Sequence, residues 1–397
     1  MCVISVVPFF FWFCKKIADK VKSFEIPIIA RGVCMEKIAV LGAGNGGYTC
    51  SADLALADYE VNLFELPKFR ASIEPIKRRG GIEITGAARV GLAKLNKATT
   101  NIKEAIEGVD LILIVVPAFA HKAFIEACMQ YLEDGQTVVF MGKAGGALRF
   151  VKILRDCTIT KDVTLGEVCT LPYTARIIGP AKVKAFASVK KLPIAAFPAE
   201  DTEKLVKIME EIYPVVPASN VLETFLFDLN TIVHPAPVIL NAARIESKEE
   251  FRLYVDGLTP AIARVVEAVD KERLVVMKAL GLKPIPYIEL VCMLGLAAGK
   301  CNTVLDTIQG IIGARELKAP TTLNARHITE DVPYGLVPLA SIAEMIRVPT
   351  PTVNSLITIA SLLNEVDYRK DGRTVEKLGI SGMNIEELKR YLTEGQV

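Results

Sequence analysis

The chain has 397 residues, 51% of them hydrophobic, and a formal net charge of +2. That length allows two domains with separate cores, and the balance of 47 basic and 45 acidic residues excludes a basic nucleic-acid footprint and an acidic tail. A single Trp argues against a surface that stacks single-stranded bases; nine scattered cysteines with no CxxC pair fit neither a zinc site nor a disulfide framework, so no metal and reduced thiols are expected, as in a cytoplasmic globular protein.

The first apolar stretch, "MCVISVVPFFFWFCKK", is too short to span a bilayer and contains Pro8. Its positive charges, Lys15 and Lys16, follow the apolar run, whereas a signal peptide carries them before it. Met35 stands directly before "EKIAVLGAGNGG". Residues 1–34 are therefore read as an upstream extension, with Met35 as the natural start and no membrane partner; a membrane anchor is the competing reading.

From Met35 to about residue 218, short apolar runs alternate with helical segments. "KIAVLGAG" is a buried strand entering a glycine turn, "YTCSADLALAD" a helix and "EVNLFE" a second strand. "VDLILIVVP" is continuously apolar, as parallel strands covered on both faces are. "HKAFIEACMQYLEDG" and "QTVVFMG" give the next helix and strand. "VTLGEV", "AKVKAFASVKKLPIAAFP" and "EDTEKLVKIMEEIYPVV" are expected to add strands and one more helix to the same domain. The alternation predicts an α/β domain, a doubly wound parallel sheet of the Rossmann type, over 35–218. After residue 219 helical periods dominate, with 251–281 read as one long helical stretch, so 219–397 is predicted to be an all-helical substrate domain. Ligands of such pairs bind in the cleft between the two parts.

"LGAGNGG" supplies Gly42, Gly44 and Gly47 at GxGxxG spacing, with Asn45 inside the turn. The first glycine makes the turn out of the strand and the second lets backbone approach a pyrophosphate. The third allows close packing of the helix whose N-terminus faces the negative charge. Glu65, at the end of the next strand, stands where a carboxylate accepts from ribose hydroxyls, with a solvated strand end as the competing reading. Such an acid repels a ribose phosphate and favours NAD, while Lys68 and Arg70 just beyond leave NADP open. Pro117 and His121 follow a buried strand at its carboxyl end, where His121 either contacts the nicotinamide or caps the next helix.

Only His121, His234 and His327 are available as imidazole acids or bases. His327 lies among polar residues and is expected to be exposed. His234 lies in "NTIVHPAPVILNAARIE", where Asn230 and Asn241 fall near its helical face and Pro235 and Pro237 interrupt the backbone ladder. Kinks of this kind aim a side chain or free backbone acceptors; a core histidine satisfied by Asn230 is the competing reading. "NARHITEDVPYGLV" adds Arg326, Glu330 and Asp331. Arg offers a planar fork for a carboxylate and an acid can fix a histidine tautomer, although a solvated loop with a capping acid has the same spacing.

Six segments in order, "GAGNGG", "VPAFAH", "GEVCTLPYTAR", "NTIVHPAPVILNAARIE", "TEDVPYGLV" and "VPTPTVNSLITIASLL", resemble the octopine and nopaline (opine) dehydrogenases from about Lys37 to the C-terminus. The resemblance implies a Rossmann-type domain followed by a helical domain like the C-terminal one of 6-phosphogluconate dehydrogenases. It implies a catalytic pair, His234 and Asp331, and a substrate-carboxylate arginine, Arg326. Glu167 matches an acid facing the amino substrate, and Asn241 is placed with the substrate contacts. The implied reaction is NAD(P)H-dependent condensation of a 2-oxo acid such as pyruvate with an amino acid, and a homodimer fits the same picture. The alternatives are a ketoreductase of the glycerol-phosphate dehydrogenase or ketopantoate reductase type, and a nucleotide sensor without chemistry. Both reductases use a lysine on the interdomain helix, and this chain has none between Lys207 and Lys248.

Overall fold

The computed structural model describes residues 35–142, 145–297 and 301–396. The apolar extension over 1–34 lies outside the described residues. Glu36–Val397 pack as one unit.

The main sheet begins with β1 (Lys37–Leu41) and β2 (Glu60–Phe64), and takes in β5 (Lys97–Thr99), β6 (Leu111–Ile114), β7 (Thr137–Met141) and β8 (Thr164–Val168). It ends with β11 (Leu192–Phe197) and β12 (Val215–Pro217), in the order β12-β11-β8-β7-β6-β1-β2-β5. The six strands from β5 to β8 are parallel; β11 turns antiparallel to β8, and β12 runs parallel to β11. Every residue of β6, β7 and β8 is buried, which explains the near-continuous apolar sequence of β6 and β7. The strand order reverses between β1 and β6, and this opens a crevice outside their carboxyl ends.

Not every strand of this domain joins the parallel sheet. β9 (Tyr173–Gly179) and β10 (Lys182–Ser188) leave the main sheet and join β3 (Ile82–Gly86) and β4 (Gly91–Ala93) in a second, four-stranded one. The pattern of β10 gives the reason. Val183, Ala185 and Ala187 are buried, whereas Lys184, Phe186 and Ser188 are exposed, so one face is wet. That strict alternation differs from the two-sided burial of β6 and β7. The small sheet packs on the Asn45–Ala55 helix, and the buried Asp53 of that helix accepts from the Tyr173 hydroxyl at 2.8 Å.

Beyond Pro217 the described chain forms helices, with only two isolated β-bridges. The stretch over 251–281, expected to be one long helical stretch, is helical only from Pro260 to Ala279. Thr259 caps that helix through its side chain and Pro260 occupies the first turn, both of which start helices rather than continue them. Just before it the chain turns tightly at Gly257, where a Cβ would lie 2.6 Å from the Leu253 carbonyl oxygen. The Pro351–Asn364 helix packs across the Pro260–Ala279 helix and the short Pro235–Ile239 helix. The C-terminal end then returns to the nucleotide-binding part. Arg149 donates to the Lys377 carbonyl at 3.1 Å and Arg155 to the Tyr391 hydroxyl at 3.0 Å. No described helix is long and apolar enough to cross a membrane.

Candidate active site

The glycine turn leaves β1 at Gly42, whose φ of +110° lies in the region glycine tolerates. A Cβ there would come within 2.6 Å of the Val115 carbonyl oxygen, and one on Gly47 within 1.7 Å of the Gly42 carbonyl oxygen. These two glycines are required by the fold itself. Gly44 differs: nothing stands within 4 Å of where its Cβ would be. It caps the Asn45–Ala55 helix at the open crevice, so the space a side chain would fill is free for a phosphate to meet the helix N-terminus. Asn45 turns away and accepts from the Ile177 backbone at 2.8 Å, tying the turn to the small sheet. Glu65 is buried beside the turn, with its oxygens on the backbone N–H groups of Ala43 and Leu66, each at 2.8 Å. Pro117 closes the opposite lip at the end of β6. Turn, helix and acid form the cradle a dinucleotide requires.

The kinked segment resolves into three short helices, Leu229–Val233, Pro235–Ile239 and Ala242–Glu246, and His234 is the joint between the first two. Its Nδ1 lies 2.7 Å from Oδ2 of Asp331, 97 residues away. Asp331 is almost fully buried while a quarter of the His234 side chain stays accessible. Asp331 is delivered by an i+5 turn: it caps a π-helical segment, Val332–Leu336, whose Leu336 N–H donates to its carbonyl at 3.0 Å. Gly335 makes the close approach possible, because a Cβ on it would sit 2.0 Å from Oγ1 of Thr231 on the helix that leads to His234. An ionised carboxylate can only accept, so the pairing of His234 with Asp331 puts the hydrogen on Nδ1 and leaves Nε2 as the basic nitrogen.

Two further rings hold the imidazole, and sequence reasoning missed both. Tyr254 lies parallel to it, with centroids 6.3 Å apart, and its hydroxyl is buried without a hydrogen-bond partner. Burial, first of all, pushes the Tyr254 hydroxyl well above its ordinary pKa. His327, expected to be exposed, is half-buried, its ring edge-on to His234 at 4.8 Å. The residues around it are mostly polar, but helix Arg326–Thr329 turns His327 inward beside the buried Ile328.

Arg326 is largely exposed at the start of that helix, and its Nε donates to the buried Glu330 carboxylate at 2.6 Å. The other Glu330 oxygen accepts from the Ala118 backbone N–H, just past Pro117, at 3.2 Å. The segment carrying Arg326 and Asp331 is thereby pinned to the carboxyl end of β6, beside the cofactor crevice.

Three residues named from the sequence have other places than expected. Glu167 is wholly buried in β8, and its oxygens accept from the backbone N–H groups of Gly145 and Ala147, each at 3.0 Å. It anchors a helix N-terminus and does not face the cleft; burial pushes its pKa up to about 7 against the pull of those amides. Asn241 gives its amide to the carbonyls of Pro237 and Gly257, each at 2.8 Å. It ties the broken helix to the turn bearing Tyr254 and so acts on the scaffold of His234. His121 has no accessible surface; its ring packs on Phe140 at 4.9 Å and its Nδ1 faces Arg373 at 3.3 Å. Burial and the Arg373 charge drive its pKa well down, so the imidazole is neutral. Among the described residues no group of three or more His, Cys, Asp or Glu could hold a metal.

Residues 37–163 match the N-terminus of NAD-dependent glycerol-3-phosphate dehydrogenases, and residues 217–364 match the alpha-helical domain of NAD/NADP octopine/nopaline dehydrogenases. The chain is 36% identical over 349 residues to an opine dehydrogenase of Arthrobacter sp. (strain 1C), covering 87% of this chain and 95% of that one. The chain belongs to the opine dehydrogenase family. It is an NAD(P)-dependent dehydrogenase, with a Rossmann-like sheet followed by a helical domain. Among solved structures, octopine dehydrogenase with NADH and L-arginine aligns at a TM-score of 0.72 and 22% identity, covering 91% of this chain and 99% of that one. A ketopantoate reductase of Ralstonia eutropha JMP134 aligns at 0.60 and 17% identity, covering 83% and 98%. Those two likenesses show the shared fold; the closer sequence relationship and the helical-domain match set this enzyme with the opine dehydrogenases.

Proposed function

We infer that the enzyme joins a 2-oxo acid such as pyruvate to the amino group of an amino acid, using NAD(P)H. The amine adds to the keto carbon, water leaves to give an imine, and reduction yields a secondary amine carrying two carboxylates. The nicotinamide cofactor supplies the hydride. What most supports the reading is the 2.7 Å pairing of His234 with Asp331 beside the cofactor crevice.

His234 takes a proton from the incoming ammonium through Nε2, which makes the nitrogen nucleophilic. It returns a proton to the hydroxyl that departs as water. Asp331 holds the Nδ1–H tautomer and stabilises the imidazolium formed in between. Arg326 is more than half exposed, so its guanidinium face not used by Glu330 is open to the oxo-acid carboxylate. Glu65 serves the adenosine ribose, and its carboxylate favours NAD. Glu167, Asn241 and His121 act one layer behind, holding the elements that carry the reacting groups. A cytoplasmic homodimer belongs to the same reading; the exposed Leu92, Ile178 and Phe186 on the small sheet give such a dimer an apolar face.

The test follows NADH absorbance with pyruvate, with and without a pool of amino acids. Oxidation that needs both substrates, with a product of the summed mass less one oxygen, supports opine chemistry. Oxidation with the oxo acid alone makes the enzyme a hydroxy-acid dehydrogenase and overturns it.

A further inference from the structure

Ala118 is the first residue beyond Pro117 on the cofactor side of the crevice, and both its backbone groups are held by the helical part. Its N–H donates to Glu330 at 3.2 Å, and its carbonyl accepts from Nη2 of Arg373 at 2.9 Å. Arg373 is buried, and its other arm reaches His121 Nδ1 at 3.3 Å. Its guanidinium lies over the Tyr334 ring at 5.1 Å, and the main-chain N–H of Arg373 donates to the Pro333 carbonyl at 2.8 Å. Tyr334 and Pro333 belong to the π-helical segment that begins at Asp331. Gly372 allows this approach, since a Cβ on it would lie 2.7 Å from the Pro333 oxygen. Burial lowers the Arg373 pKa to about 10, which still leaves the side chain charged at neutral pH.

A buried arginine is expensive unless its donors are used. This one joins the two halves of the active site: both its arms reach the Ala118–His121 loop on the nicotinamide side, and its face lies over Tyr334 of the segment that presents the catalytic acid. We propose that Arg373 is a positioning residue for hydride transfer, fixing the Pro117–His121 loop in register with the His234–Asp331 pair. Its side chain is buried among protein groups, so its role is one of positioning. Its effect runs through distance, to which transfer steps are steep: a misplacement of about 1 Å can cost on the order of a hundredfold in rate. Nothing in the sequence near Arg373 marks it, because its partners lie about 40 and 250 residues earlier.

The inference rests on the proposed reaction only in needing a hydride acceptor; any acceptor the unmodified enzyme reduces gives the readout. Arg373→Met and Tyr334→Leu are compared with the unmodified enzyme for NADH affinity by fluorescence, kcat and KM. The isotope effect on kcat with NADH deuterated at the transferred position is read on the same samples. Expected for Arg373→Met is a kcat at least tenfold lower, NADH affinity within about threefold, and a raised isotope effect as transfer becomes the slow step. Tyr334→Leu keeps the hydrogen bonds and removes only the ring, so it should shift the same quantities in the same direction by a smaller factor. Its readout stands alone if Arg373→Met fails to fold. Unchanged isotope effects in the variants that fold, or a loss of NADH affinity as large as the loss of kcat, would overturn the proposal. An unmodified enzyme that reduces an oxo acid without amine would count against opine chemistry and leave this comparison intact.

Discussion

The glycine turn and the histidine–aspartate pair lie at the same crevice, yet they are made by opposite means. The turn is built from backbone within six residues, Gly42 to Gly47, and its chemistry is that of N–H groups at a helix end. The pair is built from two side chains 97 residues apart, each carried on an irregular piece of helix. A site made of local backbone is written as a spacing of small residues. A site made of distant side chains is written only as local oddities, here two prolines and a π-turn, that make sense once they meet.

The two kinds of site should also break differently. The sharpest contrast lies inside the turn. Gly47→Ala puts a methyl into the Gly42 carbonyl and should destabilise the domain as well as abolish NADH binding. Gly44→Ala meets no atom of the protein, so its melting temperature should stay within a degree or two while NADH affinity falls at least tenfold. Melting curves and NADH titrations on the two variants decide this. Equal destabilisation by both would mean that Gly44 serves the fold rather than the cofactor.

A smaller effect separates the pair from its scaffold. Asn241→Leu leaves the Pro237 and Gly257 carbonyls without their donor in a buried place. The cost should be roughly 2–6 kcal/mol in urea unfolding, at about 1–3 kcal/mol for each of the two buried groups left unpaired. NADH affinity should be unchanged. A stability loss under half a kilocalorie, with turnover gone, would make Asn241 a substrate contact after all.

The same contrast explains how much was legible beforehand. The parallel sheet and the helical domain follow from period and burial, which act locally, and the turn follows from its glycines. The second sheet was hidden because the alternation of β10 tells that one face is wet without telling which neighbours it pairs with. His234, Asp331 and Arg326 could be named through their local motifs, although only the fold joins the first two. Glu167 and His121 lie in recognisable segments, but burial, which those segments do not encode, turned them inward. Tyr254 and Arg373 sit in segments with no motif, and their roles arise wholly from what packs against them.

The most direct test of the account is the His234→Gln enzyme, titrated with NADH and then assayed with a 2-oxo acid and an amino acid that the unmodified enzyme joins. The account predicts NADH affinity within about threefold and turnover lower by a factor of roughly 10²–10⁴, the usual contribution of a positioned acid–base group. Turnover within a few-fold of the unmodified enzyme would remove His234 from the chemistry and, with it, the reason for the pair.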